Sequence, residues 1–323
     1  MTAYATPEQL RHMIQAAGLA PSVHNTRPWE FSTHPTGLVL RGLRSRQLPV
    51  LDPEGRQWHL SCGAALFHAR AAGRALGLDV EVHLLPDPSE PDLLAVLEVT
   101  VGAAPAADDI HLAAAILHRH TTRTAFADRP VPRRLVDDLR LSAEREGASL
   151  SEVDDDRVVE LEVLLARADA EEERDPDYRA ELRRWVPSMD PTALAMVAGS
   201  SLRQRDFALN HPGRLDGSAP PVDRPLVLVL ASSQDDRLAW LRAGQALAAV
   251  LLRAADADVQ AQPLGQVTDR LAYRYRLRQA LGLVDLPQLV LRLGYPAVTG
   301  PAVTGPTAPR GEEVDGLVGA VGA

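Results

Sequence analysis

Two short stretches of this chain carry side chains that could do chemistry. Residues 20–29, APSVHNTRPW, put a serine hydroxyl, a histidine and a carboxamide into a run bounded by prolines and closed by Trp29. A rigid loop offering a hydroxyl and an amide suits a flat, hydrogen-bonding ligand. The same composition also suits a plain turn, with Trp29 filling a core. Residues 119–126, RHTTRTAF, set Arg119 and Arg123 four apart with the hydroxyls of Thr121 and Thr122 between them. Arg119 and Thr121 can then reach one phosphate or polyol, with Arg123 a turn further along. Arginines at a helix end also serve as solvated partners of the helix dipole, and this stretch alone leaves both readings open.

Other chemistries find little support. Cys62 is the single cysteine, which excludes an internal disulfide framework and a zinc site built from several thiolates. The ten histidines are scattered, and His118 and His120, two apart, would point to different faces of a helix, so no metal site is expected. No base is identifiable for Ser22, and Cys62 falls in an apolar helical stretch, so neither reads as a nucleophile. The formal charge is -9, against nucleic-acid binding. All 34 basic residues are arginine, so an anion site here must use Arg, hydroxyls or backbone N–H groups. No apolar run reaches the roughly 20 residues of a membrane span and no leader pattern opens the chain, so a cytoplasmic protein is expected.

The elements that would position these stretches follow from periodicity. Thr6-Pro7-Glu8 starts a helix over residues 6–20 with Leu10, Met13, Ile14 and Ala17 on one face. Extended chain follows around residues 29–32 and from Gly37, then an Ala-rich buried helix over residues 60–76, then strands from Val80 and Leu93. A second series begins after residue 109: a helix leading into RHTTRTAF, a helix from Arg133, an acidic amphipathic stretch over residues 154–173, a strand from Asp223, a buried helix from Leu238 and a closing strand from Leu286. Residues 185–224 show no firm periodicity and are a lid candidate. Residues 297–311 form an extended, proline-rich arm.

The two series read as degenerate copies. The stretch from Cys62 lies on the stretch from Ala243 with Gly63 on Gly244, Ala65 on Ala246 and Leu66 on Leu247. Any two Ala/Leu-rich helices align to some degree, and that explanation stays open. Two copies would pack as an internal pseudo-dimer about a two-fold axis.

Both signature stretches resemble those of the nitroreductase-like FMN proteins: Pro-Ser-x-x-Asn-x-x-Pro-Trp matches Pro21, Ser22, Asn25, Pro28 and Trp29, and Arg-x-Ser/Thr-x-Arg/Lys matches Arg119, Thr121 and Arg123. In ordinary members the Arg motif comes first. The reversed order here, about a hundred residues apart, resembles the Acg-type branch, in which a fused, decayed pair of units makes one chain. The resemblance implies an α+β nitroreductase-like fold, with one half over residues 1–105, the other over residues 106–323, and FMN between them. It implies that Arg119 and Thr121 contact the phosphate and ribityl chain, that His120 contributes backbone, and that Arg123 lies at the pyrimidine edge, where a cation stabilises reduced flavin. Pro21, Ser22 and Asn25 would line the ring. QPLGQ would run beside the hydride-accepting nitrogen, with Pro263, Leu264 and Gly265 offering backbone donors, and Arg310 would bind phosphate.

Two departures bear on this: Arg27 stands where the family has Gln, and Arg310 is followed by Gly311 rather than a second Arg. EGASLSEVD stands where a second Pro-Ser-x-x-Asn would fall, so one flavin per chain is expected. The implied function is an FMN-dependent oxidoreductase taking hydride from NADH or NADPH, acting as a monomer or homodimer. The alternatives are an FMN-sequestering protein with little turnover and a scaffold without flavin.

Overall fold

The computed structural model describes residues 3–186, 202, 205, 207 and 223–297. The C-terminal arm with Arg310, and most of the lid candidate, lie outside the described residues. Helix α1 (Pro7–Gly18) starts where expected: Thr6 accepts the Gln9 N–H at 3.3 Å and Gln9 accepts the Thr6 N–H at 2.8 Å, a reciprocal cap. Its apolar face buries Leu10, Met13, Ala16 and Ala17 against α2 (Arg56–Ala75).

The first sheet consists of β1 (Trp29–His34), β2 (Gly37–Gly42), β3 (Leu78–Leu84) and β4 (Leu93–Val101), all antiparallel, in the order β1-β2-β4-β3. Alternate residues Leu38, Leu40, Leu97 and Val99 point to α2, as a half-buried sheet requires. Helix α3 (Ala107–His118) then leads into the second series. There α4 (Arg133–Arg145), β5 (Ser149–Glu152), β6 (Leu226–Ser232), α7 (Arg237–Asp256), β7 (Gln260–Leu264) and β8 (Leu286–Gly294) repeat the succession, and the second sheet has the order β5-β6-β8-β7. The two sheets share one topology.

Helices α2 and α7 cross at Gly63 and Gly244, and the contact is reciprocal. A Cβ on Gly63 would strike the carbonyl oxygen of Leu241, and one on Gly244 would strike that of Leu60. Each clash is with the residue three positions before the opposite glycine, so exchanging the helices reproduces the contact. Only hydrogen fits at both positions, and Gly63 and Gly244 are the residues that the sequence alignment pairs. Helix α7 has the length and mean hydropathy, 1.2, of a membrane span, although the sequence led us to expect no run of that size. In the fold 78% of that window is buried inside the protein.

The copies differ in what they insert. Residues 35–36 alone join β1 to β2, whereas residues 153–225 separate β5 from β6. This excursion is longer than the stretch expected from sequence. It begins with α5 (Asp155–Arg174) and α6 (Pro176–Trp185). Helix α5 covers the outer face of the second sheet together with α8 (Gln266–Asp269) and α9 (Leu271–Ala280): Leu161, Leu164, Leu165, Val267, Tyr273 and Leu277 pack on Val227, Val229 and Val290. With both faces covered, β6 reads as an unbroken apolar run, LVLVLAS.

Candidate functional site

The loop after α1 is strained and heavily braced. His24, Asn25 and Arg27 all take left-handed backbone, at φ 47°, 55° and 45°, which costs non-glycine residues on the order of 1 kcal/mol each. Ser22 Oγ accepts the Arg27 N–H at 3.0 Å, and the Ser22 and Val23 carbonyls accept the N–H groups of Asn25 and Thr26. The Arg46 guanidinium donates to the carbonyls of Thr26 (3.3 Å) and Arg27 (3.1 Å), and α2 contributes Ser61 Oγ, which accepts the Val23 N–H at 3.2 Å. The Cys62 thiol donates to the Pro28 carbonyl at 3.2 Å. Burial pushes that thiol well above its ordinary range, so Cys62 pins the loop and is no nucleophile. Pro21, Ser22 and Asn25 are all half-buried, with Asn25 Oδ1 accepting from Arg27 Nε at 3.3 Å. The Ser22 oxygen is therefore a brace for the loop, which leaves its proton as the donor toward any ligand.

The stretch from Arg119 is laid along the second sheet. Arg119 caps the C-terminus of α3, Thr121 bridges to Ala261 as a parallel extension of β7, and the Ala261 carbonyl accepts the Thr122 N–H. Thr122 Oγ1 donates to Gln260 at 2.6 Å. Phe126 closes the stretch over Gly294, where a Cβ would lie 2.6 Å from its ring, and Arg292 stacks beneath that ring while donating to the Thr124 carbonyl. His120 Nδ1 lies 3.0 Å from the His118 carbonyl.

Arg119 itself is 9% exposed, and its Nε has no hydrogen-bond partner among the described residues. Burial lowers its pKa to about 10, with no carboxylate among the described residues restoring it. Its neighbour His68 on α2 is fully buried, donates Nδ1–H to the Ala64 carbonyl at 2.9 Å and has no partner for Nε2 among the described residues. Burial first, and Arg119 second, lower the His68 pKa to about 3, so this imidazole is neutral. Among the described residues Arg119 has no counter-ion; a buried cation of this kind is costly alone, and an anion beside it would relieve that cost.

The third segment, Pro263 to Gly265, ends β7 and opens α8. Proline has no amide hydrogen, so the donor role expected of this segment falls to Leu264 and Gly265 alone. The Gly265 carbonyl closes the turn by accepting the N–H groups of Thr268 (2.7 Å) and Asp269 (2.8 Å).

These loops, from opposite halves, meet across one ring. Phe207 packs edge-on against the buried His24, with centroids 5.6 Å apart, and the Arg123 guanidinium carbon lies 5.3 Å from its centroid. Burial, then Arg205, then Arg123 hold the His24 pKa well below 6.5, so three groups distant in sequence share one electrostatic environment. Arg310 lies outside the described residues.

No family model matches the chain. It is 32% identical over 321 residues to a Mycobacterium tuberculosis H37Rv protein named "Putative NAD(P)H nitroreductase Rv3131", covering 96% of this chain and 91% of that one. The chain belongs to the nitroreductase family. A second M. tuberculosis relative, the nitroreductase-named acg protein, is 29% identical over 321 residues, covering 95% of each chain. Among solved structures, the FMN and NADPH-dependent nitroreductase NfnB of a Sphigopyxis strain has a TM-score of 0.37 at 19% identity, covering 57% of this chain and 88% of that chain. A Bacteroides fragilis nitroreductase with bound FMN has a TM-score of 0.36 at 14% identity, covering 60% and 95%.

In this nitroreductase-family chain the connection that corresponds to the Ser22 loop in the second half is short. Leu19 caps α1 and Glu146 caps α4; from Glu146 the chain passes through Gly147 and Ala148 straight into β5. Glu146 instead binds Arg70 at 2.5 Å, and Arg70 also donates to Gln245 at 2.7 Å. Sequence reasoning missed His68, Arg205, Phe207 and Asp269. Asp269, four residues after Gly265, had a helical-spacing signal; Arg205 and Phe207 had none, since they lie in the stretch without periodicity.

Proposed function

We propose that this nitroreductase-family chain is an FMN-dependent oxidoreductase that takes hydride from NADH or NADPH, with one site per chain built between two halves that form an internal pseudo-dimer. The observation that carries the reading is Arg119: a buried arginine whose Nε has no partner among the described residues, presented by a stretch that also carries the Thr121 hydroxyl, fits a phosphate ester. FMN carries roughly -1.5 to -2, and each charge-assisted hydrogen bond to it is worth about 1.5–3 kcal/mol. Arg119 and Thr121 would hold the phosphate and ribityl chain, with the His120 backbone beside them and Arg310 as a second phosphate ligand. Arg123 would neutralise charge at the pyrimidine edge, the braced Pro21–Asn25 loop would line the ring, and Leu264 and Gly265 would supply N–H donors. When bound, FMN supplies the hydride chemistry, so no side-chain acid or base is required. The chain's residues bind, orient and shield.

A second reading is favoured by Phe207: a ring lodged between His24 and Arg123 shields the space that both loops face. The protein would then hold FMN with little turnover. An absorption spectrum of the purified protein tests the shared premise, since a colourless protein that fails to bind added FMN removes both readings. Steady-state oxidation of NADH or NADPH with a nitroaromatic or quinone acceptor separates them. We place the protein in the cytoplasm, as a monomer or homodimer acting on small molecules, and sedimentation with and without FMN reads the mass.

A further inference from the structure

A single buried carboxylate ties together both halves of the molecule and the inserted segment, directly under the Gly265 turn. Asp269 Oδ1 accepts from Gln57 Nε2 at 2.5 Å and from the Arg56 guanidinium at 3.2 Å, both at the start of α2 in the first half. Its Oδ2 accepts from Arg205 of the insertion at 2.8 Å, and Arg205 also reaches Glu172 of α5 at 2.9 Å. The Asp269 side chain is 1% exposed and those of Arg56 and Arg205 are 4% and 9% exposed. Arg56 is fixed further by the carbonyls of Gln288 (2.6 Å) and Thr268 (2.8 Å).

The carboxylate lies against the turn itself. A Cβ on Gly265 would come within 2.9 Å of Asp269 Oδ2, and the Asp269 and Thr268 amides both donate to the Gly265 carbonyl. Whatever moves Asp269 moves the Leu264–Gly265 backbone. Stability is a poor reason for such an arrangement, because buried ion clusters lose about as much in desolvation as they regain in attraction, and apolar replacements often do as well. Its position is informative instead: charge at such range in a low-dielectric interior acts strongly on charge developing nearby.

We propose that Asp269 is a positioning residue that tunes the reduction potential of the bound flavin, by fixing the Leu264–Gly265 donors and by placing a screened negative charge beneath them. This rests on the FMN reading above. Arg56, Gln57 and Arg205 set how strongly that charge is screened, so the first half and the insertion both adjust a turn that belongs to the second half.

The test is spectroelectrochemical measurement of the midpoint potential of bound FMN in the wild type, Asp269→Asn and Gln57→Met. Asp269→Asn removes negative charge and shifts the potential positive, toward the reduced anionic flavin. Gln57→Met removes a neutral donor from the carboxylate, leaves it less screened and shifts the potential negative. Opposite signs with one FMN per chain are the expected result, which a purely structural role would not produce. A yellow protein whose variants keep the wild-type potential, or shift it in one direction, overturns the inference and leaves the proposed function standing. If Asp269→Asn does not fold, the sign for Gln57→Met decides alone: a negative shift supports the proposal, and no shift overturns it. A wild-type chain that holds no FMN overturns the function and this inference with it.

Discussion

His24 and Arg123, from opposite halves of the chain, hold the same phenyl ring between them: Phe207 is 5.6 Å from the His24 ring and 5.3 Å from the Arg123 guanidinium carbon. Aromatic and cation–π contacts of this kind are worth about 0.5–1.5 kcal/mol each. Phe207→Ala is therefore expected to unshield the site while weakening FMN binding by less than about tenfold. Iodide quenching of flavin fluorescence should rise in the variant. Unchanged quenching would show that Phe207 shields nothing.

Arg119 gives a prediction with opposite signs in two states. Arg119→Met removes a buried cation whose Nε has no partner among the described residues, so the FMN-free protein should become more stable by about 1 kcal/mol or more. FMN affinity should fall at least tenfold, about 1.4 kcal/mol. Urea unfolding without FMN and fluorescence titration with it read the two effects. Equal affinity, or a less stable apoprotein, would contradict the phosphate assignment.

The crossing of α2 and α7 predicts that Gly63→Ala and Gly244→Ala each destabilise by about 1–3 kcal/mol or more, because the added carbon meets backbone that cannot step aside. Gly18, with nothing within 4 Å of an added Cβ, is the control: Gly18→Ala should be stabilising by about 0.4–1 kcal/mol. The double variant Gly63→Ala/Gly244→Ala should cost less than the sum of the two, since both clashes separate the same helices. Chemical denaturation curves measure all four.

Acid and alkali should act on different groups. Burial lowers the pKa values of His24, of His59 (to about 4) and of His68 (to about 3), so below about pH 6.5 the unfolded chain binds protons that the folded one refuses. Stability is present above pH 6.5 and lost as pH falls through these values. Burial raises Asp52 to about 6 and Glu172 to about 8, and there the folded chain keeps protons that the unfolded one releases, so stability is lost as pH rises toward 8. Each group contributes a slope of about 1.4 kcal/mol per pH unit in its window. His68→Gln should flatten the acid limb of unfolding free energy between pH 6 and 4, and Glu172→Gln the limb between pH 5 and 8; unaltered limbs would refute the assignment.

Between α4 and β5 the described residues hold no counterpart of the Ser22 loop, and the Arg70–Glu146 pair stands at the cap from which that loop would spring. Titration with FMN should therefore saturate at one per chain. A ratio near two would show that the second half still binds.

Much of the scaffold was legible because it is local. The Thr6 cap, the alternation in β2, and the all-round apolar character of α2 and α7 each follow from residues within a turn or two of one another. Strand β5, four residues long, was not anticipated, since SLSE has no apolar alternation and is held by pairing to β6. Helices α6 and α9 were missed for a similar reason: Tyr178, Leu182, Tyr273 and Leu277 are apolar anchors among many charges, and their faces make sense only once their partners are in place. The Pro263 expectation failed on chemistry available from the start, the missing N–H of proline.

By itself the sequence determined the helices and strands of the two series and the two stretches with ligand-binding residue types, and it offered the pairing of Gly63 with Gly244, because backbone propensity and side-chain spacing are properties of neighbouring residues. Tertiary structure alone decided that Arg119 is buried with no partner for its Nε among the described residues, that Phe207 sits between His24 and Arg123, and that Asp269 gathers Arg56, Gln57 and Arg205. Desolvation and pairing depend on distances between segments far apart in the chain, and those are set only when the two halves and the insertion pack together.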